Sequence, residues 1–314
     1  MHECDALVVC GTNPSILAME SGKPYVIQPA GGDYMVAMGL YRAGPVTDKD
    51  WSHGTIYEQL LRKAFTQAIG IGVHDTGIEM DRIEGAMADM TPWRRSAPRI
   101  PRKFLATYAH GCDPLSPREQ AILRTELNQE FNLAMDPDKP LVLVPSRVDF
   151  LWKGHDKLAQ AFADPEISEK YQFIFTAWGA NHEDLRALVE ENGWTANFID
   201  FVMTRPILRD FMAAADVIVD NFTSGHYGTT GAEAIAHGKP VFVWADPTQY
   251  TMGEGLPPVI SATTAEDIRD ALISLERTGE HATAFQEKIL EWASSHHSSE
   301  AINRQVEALF KAIH

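Results

Sequence analysis

Cysteine is scarce in this chain, basic residues are outnumbered, and no long apolar run interrupts it. The three cysteines, Cys4, Cys10 and Cys112, include no C-x-x-C pair and cannot all pair within one chain. That excludes a disulfide framework and favours a reduced, cytoplasmic setting. Lys and Arg total 27 against 43 Asp and Glu, a formal charge of −16. A uniformly basic surface for nucleic acid or anionic lipid is therefore excluded. No stretch approaches the roughly 18 apolar residues of a membrane span. The opening "MHECDALVV" lacks the charged-then-apolar order of a signal peptide.

What is present is an ordinary folded composition, 45% hydrophobic and 22% charged over 314 residues. That length suggests about two domains. The stretch "WRRSAPRIPRK", Trp93 to Lys103, runs against the acidic trend. It reads as a solvated connection, or as the one patch able to meet a membrane surface peripherally.

From residue 141 short apolar runs alternate with longer helical patterns, the mark of a parallel sheet wrapped by helices. "LVLVPS", "YQFIFTA", "NFIDFV", "DVIVDN" and "PVFVWA" are expected strands. "HDKLAQAFA", "NHEDLRALVEENG", "PILRDFMAAA" and a segment from about Gly228 to His237 are expected helices. The first 135 residues alternate less completely. "ALVVC" and "PYVIQ" flank the helix "PSILAMES", "IYEQLLRKAFTQAIG" is strongly amphipathic, and "KFLATYA" gives a further strand. A Pro-bounded linker places the boundary near Asp136 to Pro140. The tail reads as three successive helices with no strand. The fold class is α/β, with two Rossmann-like doubly wound domains, the N-terminal one incomplete. The expected division is 1–138, 139–296, and a C-terminal helix over 297–314 packing back toward the first domain.

"SGHYGTTGAEAIAHGKPV" spaces Gly225, Gly228 and Gly231 three apart ahead of Glu233. In a doubly wound sheet ligands bind beyond the carboxyl ends of strands, where loops feed helix N-termini. Backbone N–H groups of Gly228, Thr229 and Thr230 are therefore expected to face a phosphate. "VPSRVDFLWKGHD" supplies Arg147 and Lys153 as cations from another strand end of the same sheet. Glu233, one turn into the helix, either complements the dipole or accepts hydrogen bonds from a diol such as ribose. No G-x-x-x-x-G-K-[ST] occurs, and "GIGVHDTG" misses the G-x-G-x-x-G spacing.

"SRVDFLWKGHDKLAQAFA", "FTAWGANHEDLRALVEENG", "LRDFMAAADVIVD" and "HYGTTGAEAIAHGKPV" together resemble the C-terminal half of retaining glycosyltransferases of the GT-B fold, family 4 (glycosyl transferases group 1). The resemblance extends from about Leu141 to the end. It implies transfer of a hexose-like sugar from a nucleoside-diphosphate-sugar donor to a saccharide or lipid-linked acceptor with retention. No cofactor and no metal is implied. Arg147 and Lys153 would neutralise the diphosphate, Glu233 would hold the ribose, and Gly225, His226, Tyr227, Gly228, Thr229 and Thr230 would form the donor loop. The base would lie near "FVMTR", at Met203. The sugar side would be Gly31, Gly32 and Asp33 of "PAGGDY".

Two positions depart from the family pattern. Gly225 stands where a second acid is usual, and Ala30 where a His is usual. The alternative function is thus a catalytically impaired or truncated nucleotide-sugar-binding module. A GT-B-like epimerase is disfavoured by Gly225. The opening of the chain resembles the middle of an N-terminal domain of this fold, which suggests that its first strands are missing and that "ALVVC" lies at an unpaired edge. His110 and Cys112 fit an interdomain turn. His296 and His297 are expected at an exposed helix junction, and Trp292 within helix packing.

Overall fold

The computed structural model describes residues 4–28, 56–73, 102–104, 109, 111, 113–248, 250 and 255–311. The chain divides into two compact units. One comprises Met1–Ala106, Thr248–Glu254 and Ile302–His314, and the other Thr107–Pro247 and Gly255–Ala301. Gly31, Gly32, Asp33, Ala30, His110, Cys112 and Trp93 to Pro101 lie outside the described residues.

The first unit contains strands β1 (Leu7–Cys10), β2 (Tyr25–Gln28), β3 (Gly70–Val73) and β4 (Arg102–Phe104), with helices α1 (Thr12–Glu20) and α2 (Ile56–Gln67). The strands pair in the order β1-β2-β3-β4, all parallel. Among the described residues β1 pairs on one side only, with β2. The buried Leu61, Ala64 and Phe65 form the inward stripe of α2, the i, i+3, i+4 spacing of an amphipathic helix. Tyr25 ties helix to sheet by donating its hydroxyl to the Ala64 carbonyl at 2.5 Å. The "GIGV" run, not expected as a strand, is β3. Its sequence has too few β-branched residues to announce itself, and its pairing with both neighbours makes it a strand.

The second unit carries strands β5 (Leu141–Val144), β6 (Gln172–Thr176), β7 (Asn197–Ile199), β8 (Val217–Val219), β9 (Val241–Val243) and β10 (Ile260–Ser261). Their order is β10-β9-β8-β5-β6-β7, and every pairing is parallel. β5, β6, β8 and β9 are buried along their whole length. That explains why they read as unbroken apolar runs rather than alternating ones. Alternate residues feed two cores. Val142, Val144, Phe173, Phe175, Val217 and Val219 face one layer, and Leu141, Leu143, Ile174, Ile218, Val241 and Val243 the other. In the first layer Phe162 stacks on Phe173 at 4.1 Å, and Trp194 meets Phe173 edge-on at 5.2 Å.

Helix α3 (Pro117–Phe131) opens with a capping box between Ser116 and Glu119. It belongs to the second unit, so that unit begins well before the boundary expected near Asp136 to Pro140. The reason is Arg124, buried on this helix. It donates to the Ala214, Pro137 and Lys139 carbonyls and pairs with Asp216 at 2.7 Å.

Helices α4 (Phe150–Lys153), α5 (His155–Phe162), α6 (Pro165–Lys170), α7 (His182–Glu191), α8 (Arg205–Ala214) and α9 (Thr229–Ala236) connect the strands. The tail forms the three expected helices, and ahead of them the chain adds one short strand that was not expected. The strand is β10, and α10 (Ala265–Ser274), α11 (Glu280–Trp292), a π-helical turn over Ala293–His297, and α12 (Ser299–Lys311) follow it. His296 and His297 are buried in that turn rather than exposed, because the wider π turn brings adjacent residues inward together. Among the described residues no helix is long and apolar enough to cross a membrane.

Candidate functional site

β5 and β8 are neighbours although some 70 residues separate them, and from β5 the chain winds both ways along the sheet. Their carboxyl ends form the switch point at which doubly wound sheets bind ligands. The loop after β5 carries Arg147 and Lys153, and the loop after β8 runs from Asp220 to Gly228.

The first loop is held from behind. Val148 donates to the Trp178 carbonyl at 2.7 Å, its own carbonyl accepts from Asn181 at 3.2 Å, and Phe150 donates to the Asn181 side chain at 3.0 Å. This contact needs Gly179. Its φ is +116°, and a Cβ there would lie 2.3 Å from the Val148 oxygen. Asp149 then caps α4 by accepting from Trp152 N–H at 2.8 Å. His155 is buried beneath the loop. Its Nδ1 accepts from Asp149 N–H at 3.1 Å, so Nε2 carries the proton, 3.4 Å from Ser146 Oγ. Burial, followed by the nearby Lys153 charge, pushes its pKa down to about 3.

The two loops are stitched together. Phe222 N–H donates to the Lys153 carbonyl at 2.9 Å, and Thr223 Oγ1 donates to the Trp152 carbonyl at 2.6 Å. Lys153 Nζ lies 3.0 Å from Asp220 Oδ1. The other oxygen of Asp220 accepts from the N–H groups of Gly228 and, at 3.2 Å, Gly231. Full burial pushes the Asp220 pKa up, but Lys153 and the Gly228 N–H outweigh it and hold the carboxyl below its usual value. Asp220 is therefore an ionised carboxylate sealed between a lysine and a helix start.

This corrects one expectation. Gly228 N–H points inward to Asp220, leaving the N–H groups of Thr229 and Thr230 as the outward donors of α9. Neither has an acceptor among the described residues, as befits the first two residues of a helix. Arg147 is about half exposed, with Nε 3.4 Å from Asp149 Oδ2.

The glycine-rich loop folds on itself. Asn221 donates to the His226 carbonyl at 3.0 Å and accepts from Ser224 N–H at 3.1 Å, while Asp246 N–H donates to the Gly225 carbonyl at 2.8 Å. Gly225 sits at φ +80°, a conformation that strains any side chain. Tyr227 turns away from the strand ends. Its hydroxyl lies 3.1 Å from His297 Nε2 and accepts from Trp292 Nε1 at 3.3 Å. Trp292 in turn stacks on His296 at 3.8 Å. Helix packing by Trp292 was expected; its service to the loop was not.

Glu233 is half-buried, with Oε1 3.4 Å from Arg205. Burial, opposed by Arg205 and Arg209, holds its pKa above the ordinary carboxylate value. Met203, two residues before Arg205, packs partly buried against the core. The structure thus joins Lys153, Asp220 and Gly228 directly, with Arg147 on the same loop as Lys153. Glu233 lies one turn along α9 and pairs with Arg205. The sequence reading missed Asp220 and His297, and it placed Arg205 at the end of the stretch near the base without its pairing to Glu233. Asp220 alone had a signal, a carboxylate ending an otherwise apolar strand.

The arrangement is one that takes an anion at a helix start beside two cations, with a carboxylate one turn away. No curated protein matches this chain. Among solved structures, HepE of Anabaena in complex with UDP and glucose is similar at TM-score 0.65 and 15% identity, covering 99% of this chain and 78% of its own. Sucrose-phosphate synthase of Thermosynechococcus elongatus gives 0.62 and 16%, covering 98% and 73%. A glycosyltransferase of Rickettsia africae gives 0.57 and 13%, covering 98% and 97%. At such identities these likenesses establish the fold. Residues 126–292 match the family model described as glycosyl transferases group 1, more than half of the chain, and the chain belongs to that family.

Proposed function

We propose that this glycosyltransferase moves a sugar from a nucleoside-diphosphate-sugar donor to a saccharide or lipid-linked acceptor with retained configuration, as a family 4 enzyme. The observation that carries the reading is that Asp220 links Lys153 to the start of α9 at the β5 and β8 ends. HepE, a protein of similar fold, has been crystallised with UDP-glucose, which favours a UDP-sugar as the first donor to try.

In this reading Lys153 keeps two of its three ammonium protons for phosphate oxygens after serving Asp220. Arg147 swings from Asp149 to a phosphate, and the Thr229 and Thr230 N–H groups complete the cradle. His226 and Gly225 line the sugar end of the loop, Met203 lies toward the base, and Glu233 accepts from the ribose hydroxyls. Departing diphosphate is then stabilised by fixed donors and cations, and catalysis is positioning plus electrostatics without a divalent metal. Gly31, Gly32 and Asp33 are proposed for the sugar and acceptor side.

Calorimetric titration with UDP, GDP and ADP, repeated on Arg147→Ala and Lys153→Ala, tests the site. Binding of one nucleotide that both substitutions weaken is the expected result; no binding by the folded wild-type chain removes the reading. A second reading is favoured by Gly225, whose positive φ leaves no place for an unstrained carboxylate: a nucleotide-sugar-binding module without transfer. It predicts nucleotide binding with no acceptor-dependent release of UDP from UDP-glucose.

A further inference from the structure

We propose that Asp220 is an internal counter-ion that weakens the hold of the donor site on the diphosphate product. The proposal rests on the donor site lying where the preceding reading puts it.

Asp220 is fully buried, at the end of a strand whose other residues are apolar. Removing a carboxylate from water there is costly, so its presence calls for a physical reason. Part of the reason is structural. The residue before α9 is Gly228, which has no side chain to cap the helix, and Asp220 does so from across the loop through Gly228 and Gly231. Capping would be served by a neutral Asn or Ser. What a neutral residue would not supply is the negative charge 3.0 Å from Lys153 Nζ.

That charge turns Lys153 from a lone cation into half of an ion pair. A phosphate just outside the pair meets a dipole, whose field falls off faster than that of a single charge. Arg147, the other cation of the loop, also has a carboxylate 3.4 Å away in Asp149. The site is thus rich in donors and poor in net positive charge.

The consequence differs between donor and product. When the glycosidic bond breaks, its electron pair stays on the departing phosphate oxygen, so the free diphosphate carries more negative charge than the sugar diphosphate. A strongly positive site would grip the product harder than the substrate. Asp220 reduces that preference and assists release.

The test is titration of the full chain with UDP and with UDP-glucose, for wild type, Asp220→Asn and Asp220→Ser, each checked for folding by circular dichroism. Loss of the charge is expected to tighten UDP by about tenfold and UDP-glucose by about threefold. The ratio of the two affinities therefore shifts toward product. Turnover of UDP-glucose should fall in parallel with KM as release slows. The Ser variant, smaller and able to admit water, carries the test if Asn does not fold. A folded variant in which UDP binding is unchanged or weakened, or in which both ligands shift alike, overturns the proposal and leaves Asp220 a cap. A wild-type chain that binds no nucleotide overturns the donor reading and this proposal together.

Discussion

Tyr227 and His297 share a hydrogen bond of 3.1 Å across 70 residues of sequence, joining the glycine-rich loop to the buried π-helical turn. Trp292 donates to the same phenolic oxygen, so one hydroxyl ties the loop to both α11 and the turn that follows it. Tyr227→Phe removes both bonds and keeps the ring. Stability should fall by about 1–3 kcal/mol, read by urea denaturation, and UDP affinity should fall several-fold as the loop loses its anchor.

Gly179→Ala puts a methyl 2.3 Å from the Val148 oxygen at φ +116°. The backbone must move, at a cost of about 2 kcal/mol or more. Since Val148 precedes Asp149 and the Lys153 helix, nucleotide affinity should drop along with the melting temperature, although Gly179 carries no side chain to touch a ligand.

His155 stays neutral in the folded chain down to about pH 3, against an ordinary value of 6.5. Between those values the unfolded chain binds a proton that the folded chain refuses. Stability should therefore decline as pH falls from about 6.5 toward 3, by up to ~1.4 kcal/mol per pH unit from this one group. His155→Gln should flatten that part of the profile in pH-dependent denaturation.

Glu233 titrates above the usual carboxylate value, raised by burial and opposed by Arg205. A raised folded-state pKa stabilises the protonated form, a contribution lost as pH rises through it, so Glu233→Gln should stabilise the fold at neutral pH. Ligand binding runs the other way: if the ionised carboxylate holds the ribose, UDP affinity falls as pH drops through the raised pKa. Arg205→Ala should shift that fall to higher pH, measured by titration across the acid range.

Arg124 is buried and satisfied by three carbonyls and Asp216. Arg124→Met leaves Asp216 without its closest cation and should cost about 3–5 kcal/mol. Nucleotide affinity in the folded fraction should be unchanged, because none of its partners lies on the loops after β5 and β8.

β5, β6, β8 and β9 were legible because burial on both faces writes them as unbroken apolar runs, "LVLV" and "FIF" among them. The two strand-end loops were legible through Arg147, Lys153 and the glycine spacing. What escaped was pairing. Nothing in "VIVDN" says that its Asp turns inward to a lysine 67 residues earlier. Nothing in "SSHHSS" says that the helix widens there and buries both imidazoles, since a π turn has no composition of its own. β3 and β10 escaped for a related reason: runs of four and two residues become strands only through their neighbours. α3 was seen as a helix, but its attachment depended on contacts of Arg124 far along the chain.

The adjacency of β5 and β8 also governs when the site comes into being. Lys153 and Asp220 meet only after β6, β7 and the helices between them have been threaded past, and a closure over that span is among the slower contacts of a folding chain. On a ribosome, residues up to about 200 would emerge with their cationic loop in place and nothing opposite it. The anion site is accordingly a late product of folding, and nucleotide capture should report completed refolding more strictly than recovery of helical signal does.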